Sequence, residues 1–364
     1  MSNYFAPAFQ VLVNGSHLEA DVSMNIESIT VTSMPDTLDT FTFTLVNTLP
    51  DMRWTHTSDG DLFREGNSVN IATGYVDDLQ DMIEGEITNI SPTFPADGIP
   101  TVEISGHTRM HRLRGTNNTR TFQHMTHAQV AQQIAQANGL QAETDNTEIQ
   151  FDYLIQPNQS DLDFLKQLAK RIHYEILVQG KKLIFRKAQE SHPKMYTLVW
   201  AGVQRAFASG GNTLPLKSFA PELNATAPAS NVQQRAYDPT SRQALVCNAG
   251  PSDQTSTMGG SQSGSELPQN AFQVPRNEVD VSSPFATQAE GDQRAKATLN
   301  QRALQLIKGT AETIGIPDLR SGQNVQLLGL GQRFEGLYHI DQATHTINAS
   351  GYSTSLHLTR NSIS

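Results

Sequence analysis

The chain has 364 residues, a net charge of −10 and a pI near 5.5. It is too long for one ordinary core, and too acidic for general nucleic-acid binding or docking on anionic membranes, both of which need a positive footprint. Its one cysteine, Cys247, excludes an internal disulfide and any CxxC-type zinc site.

The opening residues, MSNYFAPAFQVLVNG, lack the basic start and long apolar run of a signal peptide. No window approaches the ~20 apolar residues of a spanning helix. Folding in the cytoplasm is therefore expected, and the N-x-S/T triplets at Asn14, Asn117, Asn224 and Asn348 are chance matches.

Residues 1–115 read as β. Phe41, Phe43 and Leu45 alternate with Thr42 and Thr44, a period of two with one dry face. Ile83, Ile87 and Ile90 are spaced among polar residues in DMIEGEITNISP, and Ala96-Asp97-Gly98 supplies a turn before TVEIS at 101–105. Many short strands separated by turns predict a barrel or a sandwich.

Residues 116–192 change period. Val130, Ile134 and Ala137 share a helical face over 126–139, with Thr126 to cap its start and Gly139 its end. A second helix is predicted over 160–173, opened by the S-x-x-D of Ser160 and Asp163. Leu162, Leu165, Leu168, Ala169 and Ile172 form its apolar stripe. A hairpin then pairs 174–179 with 183–187 across Gly180-Lys181-Lys182.

Residues 193–364 return to β. The stretch 246–273, rich in Ser, Gly, Gln and Asn, reads as a flexible loop. A helix is predicted over 286–309, with Leu299, Ala303, Leu306 and Ile307 on one face. Strands follow at 324–330, 336–348 and 353–360. The expected architecture is mainly β, with two β units flanking an α/β insert.

Candidate sites are few. His107 and His111 are four apart, but Thr-Arg-Met lies between them in a stretch that follows a strand, so a metal site is not expected. His124 and His127 sit at a helix start and are expected to face solvent. Arg109, Arg112, Arg114 and Arg120 form one basic cluster. It is either an interface for an acidic partner surface or a solvated loop paired with local acids.

Residues 260–264 read G-S-Q-S-G, with glutamine where a nucleophile elbow has serine. Gly329, Gly331 and Gly336 fit turns better than a phosphate loop. Asp161 and Asp163, at the start of a helix, complement its dipole. No catalytic residue, cofactor site or metal site is assigned, and the protein is read as a non-enzyme.

Three stretches carry a resemblance. GYVDDLQDMIEGEITNISPTFPADGIPTVEISGHTRMHRL (74–113) resembles the first barrel of the phage late control D family. SDLDFLKQLAKRIHYEILVQGKKLIFRK (160–187) resembles its S-D-x-x-F-L-x-x-L-A signature and hairpin. The run from Gly315 to Arg360 resembles its closing barrel, with a Pro-x-Leu-x-x-Gly turn, a Gly-x-Tyr strand and a Gly-Tyr-x-Thr turn. That family includes hub proteins of contractile phage tails and of extracellular contractile injection systems, and the hub region of type VI secretion spike proteins.

The resemblance implies two related tube-type β-barrels per chain, with three chains forming a pseudo-sixfold ring. Such a homotrimer would be a structural baseplate hub, binding an inner tube or tube-initiator protein, a spike and other baseplate components. It would be part of a phage tail or of an extracellular or membrane-docked particle. The chain stops at Ser364, directly after the last barrel strand, which implies a separate spike polypeptide. The competing expectations are a lysozyme-like tail enzyme, for which no carboxylate pair is nominated, and a free-standing barrel-type binding module.

Overall fold

The computed structural model describes residues 6–47, 60–200, 212–238, 242–282 and 284–364. The chain is mainly β, with two barrel units and an α/β unit between them.

In the first unit, β1 (Pro7–Val13), β2 (Ser16–His17) and the short helix α1 (Ala20–Met24) precede β3 (Ile26–Ser33). The strands β4 (Thr40–Val46), β5 (Ser68–Tyr75), β6 (Asp78–Thr93) and β7 (Thr101–Thr108) follow. The period-two pattern on β4 does what the sequence asks of it. Phe41, Phe43 and Leu45 are fully buried, while the threonines between them are half-buried. Phe41 sits opposite Gly106, and its ring lies where a Cβ at Gly106 would have to be, so a side chain is excluded there. Val69, Ile71, Ile87, Val102 and Ile104 complete the core.

The middle unit has its own core. It holds β8 (Asn117–Thr126), α2 (His127–Ala137), β9 (Gln141–Thr144), β10 (Gln150–Ser160), α3 (Asp161–Ile172), β11 (Tyr174–Gln179) and β12 (Lys182–Lys187). Thr126 and Gln129 form a reciprocal capping box at the start of α2. Ser160 Oγ accepts from Asp163 N (3.1 Å) to cap α3, which ends at His173 in the left-handed region (φ 58°). The α3 stripe of Leu162, Leu165, Leu168, Ala169 and Ile172 is buried against Val130, Ile134, Ile176 and Phe185. His127 corrects the expectation of a solvent-facing histidine. It is buried and stacks on Phe151, with ring centroids 4.5 Å apart, whereas His124 is exposed.

The second barrel holds β13 (Tyr196–Val199), β14 (Thr213–Leu223), β19 (Ile307–Ile314), β20 (Asn324–Leu328), β21 (Gly336–Asn348) and β22 (Gly351–Arg360). Between β14 and β19 the chain builds β15 (Asn231–Asp238), β16 (Gln243–Ala249), β17 (Gln262–Ser263), α4 (Leu267–Phe272), β18 (Asn277–Asp280) and α5 (Gln288–Ala303). The chain ends on β23 (Ser362–Ile363).

Two expectations are corrected here. The stretch 246–273 is not a loose loop: β16, β17 and α4 occupy part of it, and Met258, Ser263, Ser265 and Leu267 are buried. Its polar residues hydrogen-bond inside the protein. Asn361 Nδ2 donates to Ser256 O (2.7 Å), and Ser263 Oγ to Glu266 Oε2 (2.9 Å). The helix expected over 286–309 ends at Ala303, and Ile307 opens β19. Leu299 packs with Val232 and Ala249, while Leu306 and Ile307 enter the barrel core, so one apolar run crosses two elements.

Ranked by chain order within each unit, the six main strands of both barrels lie in the same spatial sequence, 1-4-5-6-3-2. They are β1-β5-β6-β7-β4-β3 in the first and β13-β20-β21-β22-β19-β14 in the second. The second closes, because β13 pairs with both β20 and β14. The first does not close by hydrogen bonds among the described residues. A 590 Å³ cavity lined by Phe9, Ile26, Ile29 and Ile347 lies between β1 and β3. The outer edge of β3 instead joins β21, which fuses the two barrels into one sheet.

Candidate functional site

The arginine cluster is built by a 3₁₀ turn, Arg109–Arg114, that carries the chain from β7 into the middle unit. Its period of three buries Met110 and Leu113 in the middle core and turns Arg109 and Arg112 toward β6. There, Glu84 and Glu86 alternate on one strand face. Arg109 Nη1 lies 2.6 Å from Glu84 Oε1, Arg112 binds Glu86 with a bidentate fork, and His111 Nε2 lies 2.8 Å from Glu86 Oε2. Burial alone would raise the Glu86 pKa, but the hydrogen bonds from Arg112 and His111 outweigh it and hold the carboxyl below its ordinary value.

Arg120, on β8, packs over Phe122 and reaches Asp161 (2.5 Å) at the start of α3. Asp161 also accepts from Asn118, Gln156 and Asn138, and these bonds overcome its burial to lower its pKa. Arg114 is exposed and has no ion pair among the described residues. Arg109 and Arg112 therefore brace the passage from the first barrel to the middle unit, Arg120 fastens β8 to α3 within that unit, and Arg114 faces solvent.

His107, on β7, stands opposite Glu86 on β6, and His111 is bound by that same Glu86. Among the described residues no group of three or more His, Cys, Asp or Glu is placed to hold a metal ion. No helix among them is long and apolar enough to cross a membrane. Gly329, Gly331 and Gly336 all have positive φ and turn the chain between β20 and β21.

Sequence reasoning did not anticipate the junction where the three units meet. Asp36, in the β3–β4 turn, accepts from Ile176 N (2.8 Å) on β11. Tyr75 Oη donates to Gly315 O (2.9 Å), and Arg320 donates to Met82 O (2.7 Å) and Asp81 O, tying the second barrel to β6. A 460 Å³ cavity here is lined by Asp36, His173, Glu175, Glu190, His339 and Asp341. Burial pushes the Glu175 carboxyl up to about 7 and that of Asp341 to about 6. The Glu190 carboxyl, despite its burial, is held low by His173 at 2.7 Å. The acid pair on β6 had a sequence signal, the i, i+2 spacing of Glu84 and Glu86 opposite a run of arginines. The junction had none, because its residues are scattered along the chain.

Residues 5–349 match the family model described as the Alg8 N-terminal domain. No curated protein sequence matches the chain. Among solved structures, the 43 kDa tail protein of prophage MuSo2 from Shewanella oneidensis aligns with a TM-score of 0.72 at 13% identity, covering 98% of this chain and 99% of that one. The tail protein of Neisseria meningitidis MC58 aligns with a TM-score of 0.68 at 15% identity, covering 99% and 98%. The E. coli c3393 protein, a component of the type VI secretion system, aligns with a TM-score of 0.58 at 10% identity, covering 97% and 77%. At these identities the likeness is one of fold, and the fold is one shared with phage tail proteins and a type VI secretion system component.

Proposed function

The chain belongs to the Alg8 N-terminal domain family, and from that premise and its tail-protein fold we propose that it is a baseplate hub of the late control D kind. In this reading it serves a contractile phage tail or injection machine as a homotrimer. It seats the inner tube or a tube-initiator protein on one side and a separate trimeric spike on the other, and it does no chemistry. The observation that carries the reading is the repeated 1-4-5-6-3-2 strand order. One chain holds two barrels of like construction, so three chains in a ring present six, enough to meet a sixfold tube while remaining threefold toward a spike.

The ion pairs of Arg109 and Arg112 support a structural role, since they tie the turn that enters the middle unit to β6 of the first barrel, while that of Arg120 braces the middle unit itself. Arg114 is the member of the cluster best placed to meet an acidic partner. The test is the mass of the purified chain by light scattering, alone and with a candidate spike protein. A trimer in either case supports the hub, and a monomer in both favours a free-standing binding module.

A further inference from the structure

The chain's acidity is confined to one barrel. Residues 1–115 hold sixteen Asp and Glu against five Arg, and no lysine precedes Lys166. The remaining residues hold twenty acids against twenty-one bases. Two of the five arginines, Arg109 and Arg112, are already taken by Glu84 and Glu86.

The two barrels also differ at one hairpin. The fifth and sixth strands of the second, β21 and β22, pair out to Asn348 and Gly351, leaving a two-residue turn. Their counterparts in the first, β6 and β7, pair out to Thr93 and Thr101 and carry a seven-residue tip, 94–100. In that tip Ile99 is 68% exposed and Phe94 57% exposed. The end of β4 ties this tip to α1, because Asn47 N donates to Pro100 O (2.8 Å) and Val46 N to Asn25 O (3.0 Å). Met24, at the end of α1, is 79% exposed. Glu19, Asp21, Asp97 and Glu103 are exposed on these same elements. One exposed aliphatic is ordinary on a soluble protein. Three large apolar side chains on one rim, set among acids and without a lysine, have the make-up of an interface: apolar anchors within a charged border.

We infer that this rim, with Met24 and Ile99 as anchors and the surrounding carboxylates as the charged border, docks a protein partner that presents a Lys/Arg-rich face. Resting on the trimeric hub reading, the partner is the spike rather than the tube. The tip and the acidity belong to one barrel of each chain, so in a trimer they recur three times. A surface for a sixfold tube would have to be common to both barrels.

The test uses the purified spike protein as probe and the purified tube protein as its control. Two double variants of the full chain are compared, Met24→Ser with Ile99→Ser, and Asp97→Lys with Glu103→Lys. All four side chains are exposed, so folding and trimer mass are expected to match the unaltered chain. Each pair is expected to weaken spike binding by about tenfold or more. The charge pair should also flatten the fall of affinity with salt, and neither should change tube binding. Trimers whose spike affinity is unchanged by both pairs, or whose tube binding falls instead, would overturn the inference while leaving the hub intact. An unaltered chain that stays monomeric with spike present overturns the hub reading itself, and this inference with it.

Discussion

In the first barrel β1 and β3 stand unpaired across an apolar cavity, whereas in the second β13 lies between β20 and β14 and completes the ring. The strand order is the same, but the first-ranked strand runs in opposite senses. β1 is antiparallel to β5, and β13 is parallel to β20. A closed ring satisfies its own backbone edges, while an open one must borrow. The first barrel does so by laying β3 along β21 and by receiving Arg320 on the backbone of β6. The second barrel is thus the self-closed scaffold, and the first is joined to it.

The largest effects should come from burying a lone charge in each core. Phe43→Asp and Leu356→Asp each place an unpaired carboxylate where the native side chain is fully buried, a loss on the order of 4–5 kcal/mol. Hydrogen exchange should separate them. Phe43→Asp opens the first barrel and leaves β19, β20 and β22 protected. Leu356→Asp opens both, because β22 holds β21, the strand to which β3 is joined. The reverse pattern would break the comparison. Leu165→Asp, in the core of the middle unit, should unfold that unit, and a soluble, trimeric Leu165→Asp protein would contradict the core assignment.

Next in size is Arg320→Ala. It removes two charge-assisted bonds to β6 carbonyls, and a loss of about 2 kcal/mol in urea unfolding is expected. A further effect should appear with pH. Burial pushes the Asp39 carboxyl from 3.8 up to about 7, against a hydrogen bond from Met34 N and the charge of Arg320. A raised folded pKa means that protonation favours the folded state. The contribution is full below the unfolded value and is lost as pH rises through about 7. Glu175 and Asp341, also raised, act in the same direction. Asp39→Asn should therefore gain stability relative to the unaltered chain as pH rises from about 4 to about 7, and a difference that does not vary with pH would refute the assignment. The smallest effect is that of Arg114→Ala, exposed and without an ion pair among the described residues, which should unfold like the unaltered chain.

Periodicity carried the fold where one face is wet. The strand of Phe41, Phe43 and Leu45 and the α3 stripe stand where their spacing put them, whereas on α2 Val130 and Ile134 are buried but Ala137, expected on the same face, is exposed. It failed where an apolar run spans two elements, as at Leu299 to Ile307, and where buried polar residues imitate a loop, as in 246–273. For the candidate site, the arginine cluster was legible, but its engagement by Glu84 and Glu86 depends on a strand pairing that local pattern does not fix. The contrast between an open acidic barrel and a closed, nearly neutral one needed both the topology and the charge count.

Two like barrels per chain are proposed to make a threefold ring. Light scattering on the purified chain, with and without a candidate spike protein, is the decisive measurement. A threefold ring gives a hub mass of three times the 39.9 kDa chain, alone or once spike is added. A strict monomer under both conditions would contradict it.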